Sequence, residues 1–373
     1  MNTEKFKYSS GTWNFEGENQ NVNLVLCFGA RDLLTEENYN TVKGKYPNAE
    51  ISMCSTAGEI YDETVSDNTI SGVAIELEKT KIKTIQVNIS NFKDSNVCGK
   101  HISNALNTDD LQHILVLSDG GLVNGSELVK GLNSVKTKNI AITGGLAGDG
   151  TNFEKTTVGL NGDIGSGNIV AIAFYGTDLI IGHGSKGGWD EFGAERTVTR
   201  SENNVLFELD GKSALELYKT YLGKEQVKQL PGSALLFPLS VEIENDKNVV
   251  RTILSVDEKT QSMTFAGDIP EGAKVKLMRA NFDRLIDGAE DAAENISLIN
   301  EKTPELALLI SCVGRKLILD QRIEEEVEGV KEIFGDKTDY VGFYSYGEIS
   351  PLNPNSTCEL HNQTMTITTY SEN

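Results

Sequence analysis

Residues 114–150 open with ILVLSDGGLVNG and close with IAITGGLAGDG. This stretch predicts an apolar strand, a polar turn, a helix, and a second apolar strand that ends in a small-residue turn carrying an acid. Two other stretches follow the same plan. Residues 24–60 run from LVLCFGARDLL to ISMCSTAGEI, and residues 306–349 run from LALLISCVGRKLIL to VGFYSYGEI. Three copies of one strand–helix–strand pattern predict an α/β fold with ligand-binding turns at the strand ends.

The segments between these units predict further β-structure. After the first unit, the alternating runs ISGVAIELE (70–78) and KIKTIQVNIS (81–90) are typical of a hairpin. We predict an α/β protein of mixed β-sheets with flanking helices, built from repeated strand–helix–strand–hairpin units. We also predict two domains, residues 22–223 and 224–373, after a polar and loosely held tail at residues 1–21.

Composition narrows the class of protein. The 373-residue chain carries a formal net charge of −21, which disfavours nucleic acid or an anionic membrane as a partner. The first residues, MNTEKFKYSSGTW, lack the apolar core of a signal peptide, and no window approaches the roughly 20 apolar residues of a membrane span. Five cysteines, three of them in or beside apolar strands, indicate a reduced, cytoplasmic protein.

The turn after the first unit is a candidate site. In CSTAGEI, small side chains at Cys54–Gly58 let backbone N–H groups approach an anionic ligand, and Ser55 and Thr56 add hydroxyl groups. Glu59 can receive an ammonium group. The alternative is a tight connection with Glu59 in solvent, and only the recurrence of the pattern brings the two interpretations level.

Two more positions allow either function or structure. Asp119 and Asn124 lie in a turn that opens a helix, which suits a polar-ligand cradle, although capping of that helix by Asn124 explains the pattern equally well. Arg315 follows an apolar strand and can bind a carboxylate through two hydrogen bonds. Its alternative is a structural ion pair with Glu348 or Glu359.

We expect the strand-end turns to meet in one hollow that is wide enough for a metabolite, with Arg315 or backbone N–H groups on a carboxylate and Glu59 or Glu348 on an ammonium group. The predicted ligand-binding residues are Cys54, Ser55, Thr56, Gly58, Glu59, Asp119, Asn124, Arg315, Tyr346, Gly347, Glu348, Ser350, His361 and Asn362.

Metal and catalytic signals are weak. Cys358 and His361 form half of a zinc motif, but no second pair completes it, so we expect no metal. An enzyme could use Cys54 or Cys312 with His361, or Glu59 with Glu348. Paired acids in turns suit a binding pocket equally well, so we expect no enzyme and assign no catalytic residue.

The chain resembles FIST proteins, which join an N-terminal and a C-terminal FIST domain. The motifs that carry this resemblance are CSTAGEI (54–60), LSDGGLVNGSELVKGL (117–132), GGLAGDG (144–150), GHGSKGGW (182–189), LFELDGKSALELYKTYLG (206–223), FAGDIPEG (265–272), SCVGRK (311–316), GFYSYGEISP (342–351) and CELHNQTMTI (358–367).

The resemblance implies a small-ligand sensor in signal transduction, with an amino-acid-like metabolite as the ligand. It also implies a separate signalling partner such as a histidine kinase. Self-association into a homo-oligomer is the other route of signalling that we expect. Some proteins that resemble this chain are haem proteins that sense nitric oxide. If haem binds here, His361 or His183 is the candidate axial ligand.

Overall fold

The computed structural model describes residues 1–134, 140–244, 247–297, 302–353 and 356–373. Its α-helices are α1 (Glu36–Lys45), α2 (Ser95–Leu106), α3 (Gly125–Leu132), α4 (Ala214–Leu222), α5 (Lys224–Val227), α6 (Phe282–Ser297), α7 (Val313–Leu319) and α8 (Glu325–Phe334). Within these ranges, no helix combines the length and the apolar character needed to cross a membrane.

The strands of the first half are β1 (Asn2–Ser9), β2 (Thr12–Phe15), β3 (Leu24–Gly29), β4 (Glu50–Ser55), β5 (Glu59–Tyr61), β6 (Thr64–Ser66), β7 (Ile70–Glu76), β8 (Lys81–Asn88), β9 (Leu111–Ser118), β10 (Ala141–Leu146), β11 (Val158–Leu160), β12 (Asp163–Gly165) and β13 (Asn168–Tyr175). Those of the second half are β14 (Leu179–Lys186), β15 (Asp190–Glu202), β16 (Val205–Leu209), β17 (Lys212–Ser213), β18 (Leu239–Glu244), β19 (Lys247–Arg251), β20 (Ile253–Asp257), β21 (Ser262–Phe265), β22 (Lys274–Arg279), β23 (Leu306–Cys312), β24 (Asp339–Ser345), β25 (Gly347–Pro351), β26 (Cys358–His361) and β27 (Met365–Glu372).

The three predicted units are present, which confirms the α/β class with mixed sheets and flanking helices. In each unit the two strands pair in parallel around a helical crossover: β3 with β4, β9 with β10, and β23 with β24. A short antiparallel hairpin follows each unit, namely β5–β6, β11–β12 and β25–β26. The repeated plan therefore extends to a hairpin after every second strand.

Each hairpin pairs with the sheet of another unit. Strand β5 of the first unit pairs with β24 of the third, β11 of the second pairs with β4 of the first, and β25 of the third pairs with β10 of the second. This cyclic exchange ties three sheets together, with orders β12-β11-β4-β3-β7-β1-β2, β26-β25-β10-β9-β13-β8 and β14-β27-β23-β24-β5-β6. It creates three junctions at which the end of one unit meets the loop of another.

One face of each of these three sheets points to a shared core. Leu26, Leu117 and Leu308, from the first strands of the three units, belong to the same buried cluster. Their neighbours along the strands, such as Cys27 and Val116, face outward and are covered by helices. Because successive side chains on a strand point to opposite faces, strands buried on both sides are almost continuously apolar.

An additional sheet lies between β14 and β23 in sequence. It has the order β19-β18-β22-β15-β16-β21-β20, and β17 pairs with β16. Helix α4 packs its buried Leu215 and Tyr218 into the core of this sheet. The loop after β21 reaches α3 of the second unit, where the Asp268 N–H donates to Ser126 Oγ at 3.4 Å. This sheet therefore forms one wall beside the second unit.

The predicted polar tail is wrong. Residues 2–9 form β1, which pairs with β7, and residues 12–15 form β2, which pairs with β1. Phe6 is completely buried and contacts Trp13 and Phe15. Only Lys5 and Phe6 of β1 are buried, and the polar residues on either side of them hid the apolar part of the pattern.

The predicted hairpin of residues 70–90 is also wrong, although both strands exist. Strand β7 pairs with β1 and β3, whereas β8 pairs with β13 in another sheet. The Glu372 carboxylate accepts the N–H groups of Glu78, Lys79 and Thr80, at 2.9, 3.1 and 2.7 Å. These three bonds hold the connection as a crossover between sheets, which local alternation does not distinguish from a tight turn.

Candidate functional site

Basic side chains fill two of the three junctions. In the third unit, Lys316 follows β23 and donates to the carbonyl oxygen of Ala57 at 2.9 Å, and it also pairs with Asp67. In the first unit, Arg31 follows β3 and lies 3.7 Å from Asp149 Oδ2. In both cases a cation from the segment that follows the first strand of one unit occupies the space beside the strand-end turn of another.

At the third junction, the loop after β9 (residues 119–124, DGGLVN) contains no Lys or Arg. Gly120 lies two residues after the end of β9, as Arg31 lies two residues after the end of β3. A Cβ atom at Gly120 would lie 2.0 Å from the carbonyl oxygen of Ala147, so only glycine fits there. The junction between the second and third units is consequently open.

A cleft with a volume of about 480 Å³ occupies this junction, within the usual range for small-molecule sites. It is bounded by the loop after β9, the 153–156 loop, the additional sheet and the start of α7. Its lining residues are Gly120, Gly121, Leu122, Val123, Asn124, Gly125, Leu146, Phe153, Glu154, Lys155, Thr156, Asn204, Leu235, Thr252, Leu254, Phe265, Ala266, Gly267, Cys312, Val313, Gly314, Tyr346 and Asn362.

The cleft has an apolar and aromatic rim. Leu122, Phe153 and Leu254 are 65%, 51% and 45% exposed, although large apolar side chains are usually buried. The ring of Phe153 stacks on that of Tyr346, with centroids 4.6 Å apart and planes 17° apart. Exposed apolar groups that gather at one cavity are typical of a binding surface.

Buried polar atoms without partners lie beside the cleft. Asn362 is fully buried, and its Nδ2 donates to the carbonyl oxygen of His361 at 3.0 Å, whereas its Oδ1 has no hydrogen-bond partner. Thr252 is 5% exposed, and its Oγ1 likewise has no partner. An unpaired buried oxygen costs about 1–3 kcal/mol, so a donor that reaches these atoms from the cleft would be stabilising.

Asp149 holds the loop that presents Phe153 to the cleft. Its carboxylate accepts the N–H groups of Phe153, Glu154 and Lys155, at 2.9, 3.0 and 2.8 Å, and the hydroxyl of Tyr346. Burial raises the pKa of Asp149, but these hydrogen bonds outweigh burial and lower the pKa below its ordinary value. Phe153 has a φ of 55°, which is unfavourable for a bulky residue and is maintained here by the bonds to Asp149.

We expect Asp149→Ala to lower the free energy of unfolding by about 1–3 kcal/mol at pH 7, because three backbone N–H groups lose their acceptor. The contribution of Asp149 is present above its ordinary pKa of 3.8 and is lost as pH falls through the lowered pKa of the folded state. Urea unfolding followed by circular dichroism measures the change. Asp336→Ala, at a side chain that is 93% exposed, is the control, and equal losses in the two variants would contradict the assignment.

Comparison with known proteins adds the family. The FIST N domain model matches residues 23–212, and the FIST C domain model matches residues 214–351. The chain belongs to the FIST family. FIST domains are generally small-ligand sensors in signal transduction. The cleft is lined by both matched regions, with Gly120–Gly125 in the FIST N domain and Thr252 and Tyr346 in the FIST C domain.

Individual relatives are distant. An uncharacterised protein from Methanocaldococcus jannaschii is 26% identical over 247 residues, which cover 56% of this chain and 45% of that protein. The chain thus matches less than half the length of this relative. A chorismatase crystal structure aligns over 98% of both chains with 10% identity and a TM-score of 0.35.

Three of the predicted ligand-binding residues of this FIST protein line the cleft: Asn124, Tyr346 and Asn362. The Asn124 side chain also caps α3, since its Oδ1 accepts the N–H of Glu127 at 3.0 Å. Asn124 therefore both caps a helix and lines the cleft, so the capping interpretation and the ligand-cradle interpretation do not exclude each other.

The acids and the arginine predicted to share a hollow lie elsewhere, each with partners inside the protein. Glu59 accepts from Thr69 Oγ1 at 2.7 Å, and Glu348 accepts from Thr364 Oγ1 at 2.8 Å. Arg315 pairs with Glu326 at 2.7 Å, rather than with Glu348 or Glu359. These buried side chains do not line the cleft, so the expected geometry, in which they surround one ligand, is corrected.

The remaining predicted residues also lie outside the cleft lining and make contacts within the protein. Cys54 and Thr56 are buried, Ser55 Oγ donates to the Gly148 carbonyl at 2.7 Å, and a Cβ at Gly58 would meet Lys316 Nζ at 2.6 Å. The carboxylate of Asp119 accepts the N–H groups of its own loop and of Gly167. Gly347 packs against Leu146 and Leu360, and the Ser350 carbonyl accepts from His361 Nε2 at 2.8 Å.

The described residues of this FIST protein do not fit a haem in the cleft. His361 is buried in β26 with Nε2 bound to a carbonyl, and His183 lies on β14; neither lines the cavity. Cys312 does line it, but burial raises the pKa of its thiol and disfavours the thiolate that would hold iron. Among the described residues, no group of three or more His, Cys, Asp or Glu side chains could hold a metal ion.

Sequence reasoning missed most of the rim and part of the floor, by which we mean the buried lining formed by Asn362, Thr252 and Cys312. Phe153, Leu122, Thr252 and Leu254 were not predicted, because each looks like an ordinary loop or strand residue. One signal was available: Phe153 is an apolar aromatic residue in the polar, glycine-rich segment GDGTNFEK. Such a residue outside any periodic pattern is a candidate for ligand contact.

Proposed function

We propose that this FIST protein is a cytoplasmic sensor that binds a small, amino-acid-like metabolite in the third-junction cleft. It would signal through a separate protein such as a histidine kinase. The observation that carries the proposal is the unpaired Asn362 Oδ1 beside a cleft that both FIST domains line. A cavity between two domains, with an apolar rim and a few convergent polar atoms, is a typical metabolite site.

The cleft also supplies ionic partners for an amino acid. Glu154 and Lys155 line it and are exposed, so their charged groups remain solvated at its mouth. A ligand carboxylate would pair with Lys155, and its ammonium group with Glu154. These two residues replace Arg315, Glu59 and Glu348 in the roles that the sequence had suggested.

Contacts across the cleft suggest how binding would be transmitted. Asp268, next to the lining residue Gly267, forms an ion pair with Lys130 of α3 at 3.2 Å and accepts from Asn124 Nδ2 at 3.3 Å. A ligand held between α3 and the additional sheet would change how closely these two walls approach. To shift two states from 1:99 to 99:1, it must prefer one of them by about 5.5 kcal/mol.

The test is a binding measurement with a blocked cleft. We expect isothermal titration calorimetry against amino acids and related metabolites to find a ligand whose affinity falls at least tenfold in Leu254→Arg, because a guanidinium then fills the rim. Phe282→Arg is the matched control, since Phe282 is 46% exposed but does not line the cleft. Equal binding by both variants, or no heat with any metabolite, would refute the proposed site.

Catalysis is the less supported alternative. Cys312 lines the cleft, and burial raises the pKa of its thiol. No histidine in the described part of the chain lines the cleft to activate it. We therefore propose a binding function rather than an enzymatic one.

A further inference from the structure

The walls of the cleft specify the ligand more narrowly than the family does. We propose that the ligand carries a flat aromatic ring with a neutral N–H or O–H donor, and that it enters the cleft ring first. This inference rests on the proposed sensor function and adds the chemical class of the ligand. The aromatic rim, the unpaired oxygens and the location of charge around the cleft all point to such a ligand.

The aromatic rim favours a planar ring. Phe153 stacks on Tyr346 through one face and remains half exposed, which leaves ring surface for a second aromatic group. Leu122 and Leu254 add exposed aliphatic surface to the same cavity. Aromatic rings gain from offset stacking beyond the gain from burial alone, so a flat ring uses this rim better than an aliphatic chain does.

The floor requires a donor. Because Asn362 Nδ2 already donates to the His361 carbonyl, the amide orientation is set: a flipped amide would place Oδ1 against that carbonyl oxygen. The unpaired atom is therefore an acceptor, and only an N–H or O–H group satisfies it. The ligand can form another hydrogen bond with the unpaired Thr252 Oγ1, which is able either to accept or to donate.

The distribution of charge gives the orientation. Among the described lining residues, the two with charged side chains, Glu154 and Lys155, are both exposed. The buried lining residues include Asn362 and Thr252, which carry no charge, and Cys312. Burial raises the pKa of the Cys312 thiol, which favours its neutral form. A charge carried to the floor would lose its hydration without gaining a partner, so charged groups of the ligand stay at the mouth. Indole and phenol rings, with any amino-acid group outward, meet all three conditions.

The inference is tested with two probes of one shape. Indole has the N–H donor, and 1-methylindole replaces it with a methyl group. We expect calorimetry on the full chain to give at least tenfold weaker binding of 1-methylindole, and Asn362→Leu to reduce that ratio to about one. Thr252→Val is a second variant of unchanged shape; since Oγ1 has no partner, the variant should fold normally and bind indole several-fold more weakly. Equal binding of the two probes to the unmodified protein would overturn the inference.

A wider probe set separates this inference from the sensor proposal. The aromatic probes are indole, phenol, tryptophan and tyrosine, and the aliphatic probes are leucine, glutamate and succinate. If only aliphatic probes bind, and Leu254→Arg abolishes that binding, the ring inference is wrong and the cleft is still a sensor site. If no probe of either set binds, both proposals are wrong. Binding of the aromatic set that Leu254→Arg removes supports both.

Discussion

Arg315→Met is expected to lower the free energy of unfolding by about 3–5 kcal/mol, because it leaves a buried carboxylate without its cation. Arg315 and Glu326 are both fully buried. The guanidinium donates to Glu326 Oε2 through Nε at 2.9 Å and through Nη2 at 2.7 Å. It also donates to the carbonyl oxygens of Gly187 and Leu285, at 2.7 and 2.6 Å. One side chain thus joins α6, α7, α8 and the segment after β14.

Glu326 is bound as completely as its partner. Its Oε1 accepts from the hydroxyl groups of Ser311 and Tyr344, at 3.0 and 2.8 Å. When the arginine is removed, the buried Glu326 carboxylate loses the cation that balances its negative charge, and the hydroxyl groups that remain around it are neutral. A double variant, Arg315→Met with Glu326→Met, should recover part of the loss, since a buried pair is replaced more readily than it is broken.

The control is Arg322→Met. Arg322 pairs with Glu325 and Asp283 but is 41% exposed, so water screens both contacts. We expect this variant to lose about 1 kcal/mol or less in urea unfolding followed by circular dichroism. A loss at Arg315 no larger than that at Arg322 would show that the buried pair is not important for stability.

We expect the free energy of unfolding of Glu348→Gln, relative to that of the unmodified protein, to increase by about 2–4 kcal/mol as pH rises from 5 to 8. Glu348 is fully buried, and burial raises its pKa from 4.5 to about 8 against the hydrogen bonds from Ser345 and Thr364. The folded state therefore holds a proton that the unfolded state releases. The stability this provides is fully present below pH 4.5 and is lost as pH rises through about 8.

The experiment measures urea unfolding of both proteins at each pH. Glutamine keeps the shape of the side chain and stays neutral, so its advantage should be small at pH 5 and large at pH 8. Glu202→Gln removes the same charge from an exposed position and serves as the control. Burial likewise raises the pKa of Glu59, to about 7, so a Glu59→Gln variant should show a smaller effect of the same sign. A stability difference between Glu348→Gln and the unmodified protein that does not change with pH would contradict a buried, protonated Glu348.

The fold was predictable where its signal is local. The strands of the three units, such as LVLCFG and LALLISC, are continuous apolar runs, and these become β3 and β23. The errors occurred where local pattern and partner choice differ: Phe6 lies in a strand of mixed polarity, and β7 and β8 are adjacent in sequence but belong to different sheets. Periodicity gives the type of an element, whereas pairing depends on distant residues.

The candidate site was predictable only in part, for a related reason. Asn124, Tyr346 and Asn362 were expected to contact a ligand and do line the cleft, since turns at strand ends lie where sheets present ligands. Glu59 and Glu348 occur in equally suggestive turns, but Thr69 and Thr364 satisfy their carboxylates. Sequence shows that an acid follows a strand, and it does not show whether a distant hydroxyl group already binds that acid.

The sequence by itself determined the three strand–helix–strand units, the FIST family and the sites where turns carry polar residues, because each depends on residues close together in the chain. The tertiary structure alone decided which junction is open. The cyclic exchange of hairpins brings Arg31 and Lys316 to two junctions and Gly120 to the third, and it gathers Phe153, Thr252 and Asn362 around one cavity. A cavity is the space left between elements that are distant in sequence, so its location and contents follow from packing rather than from any single motif.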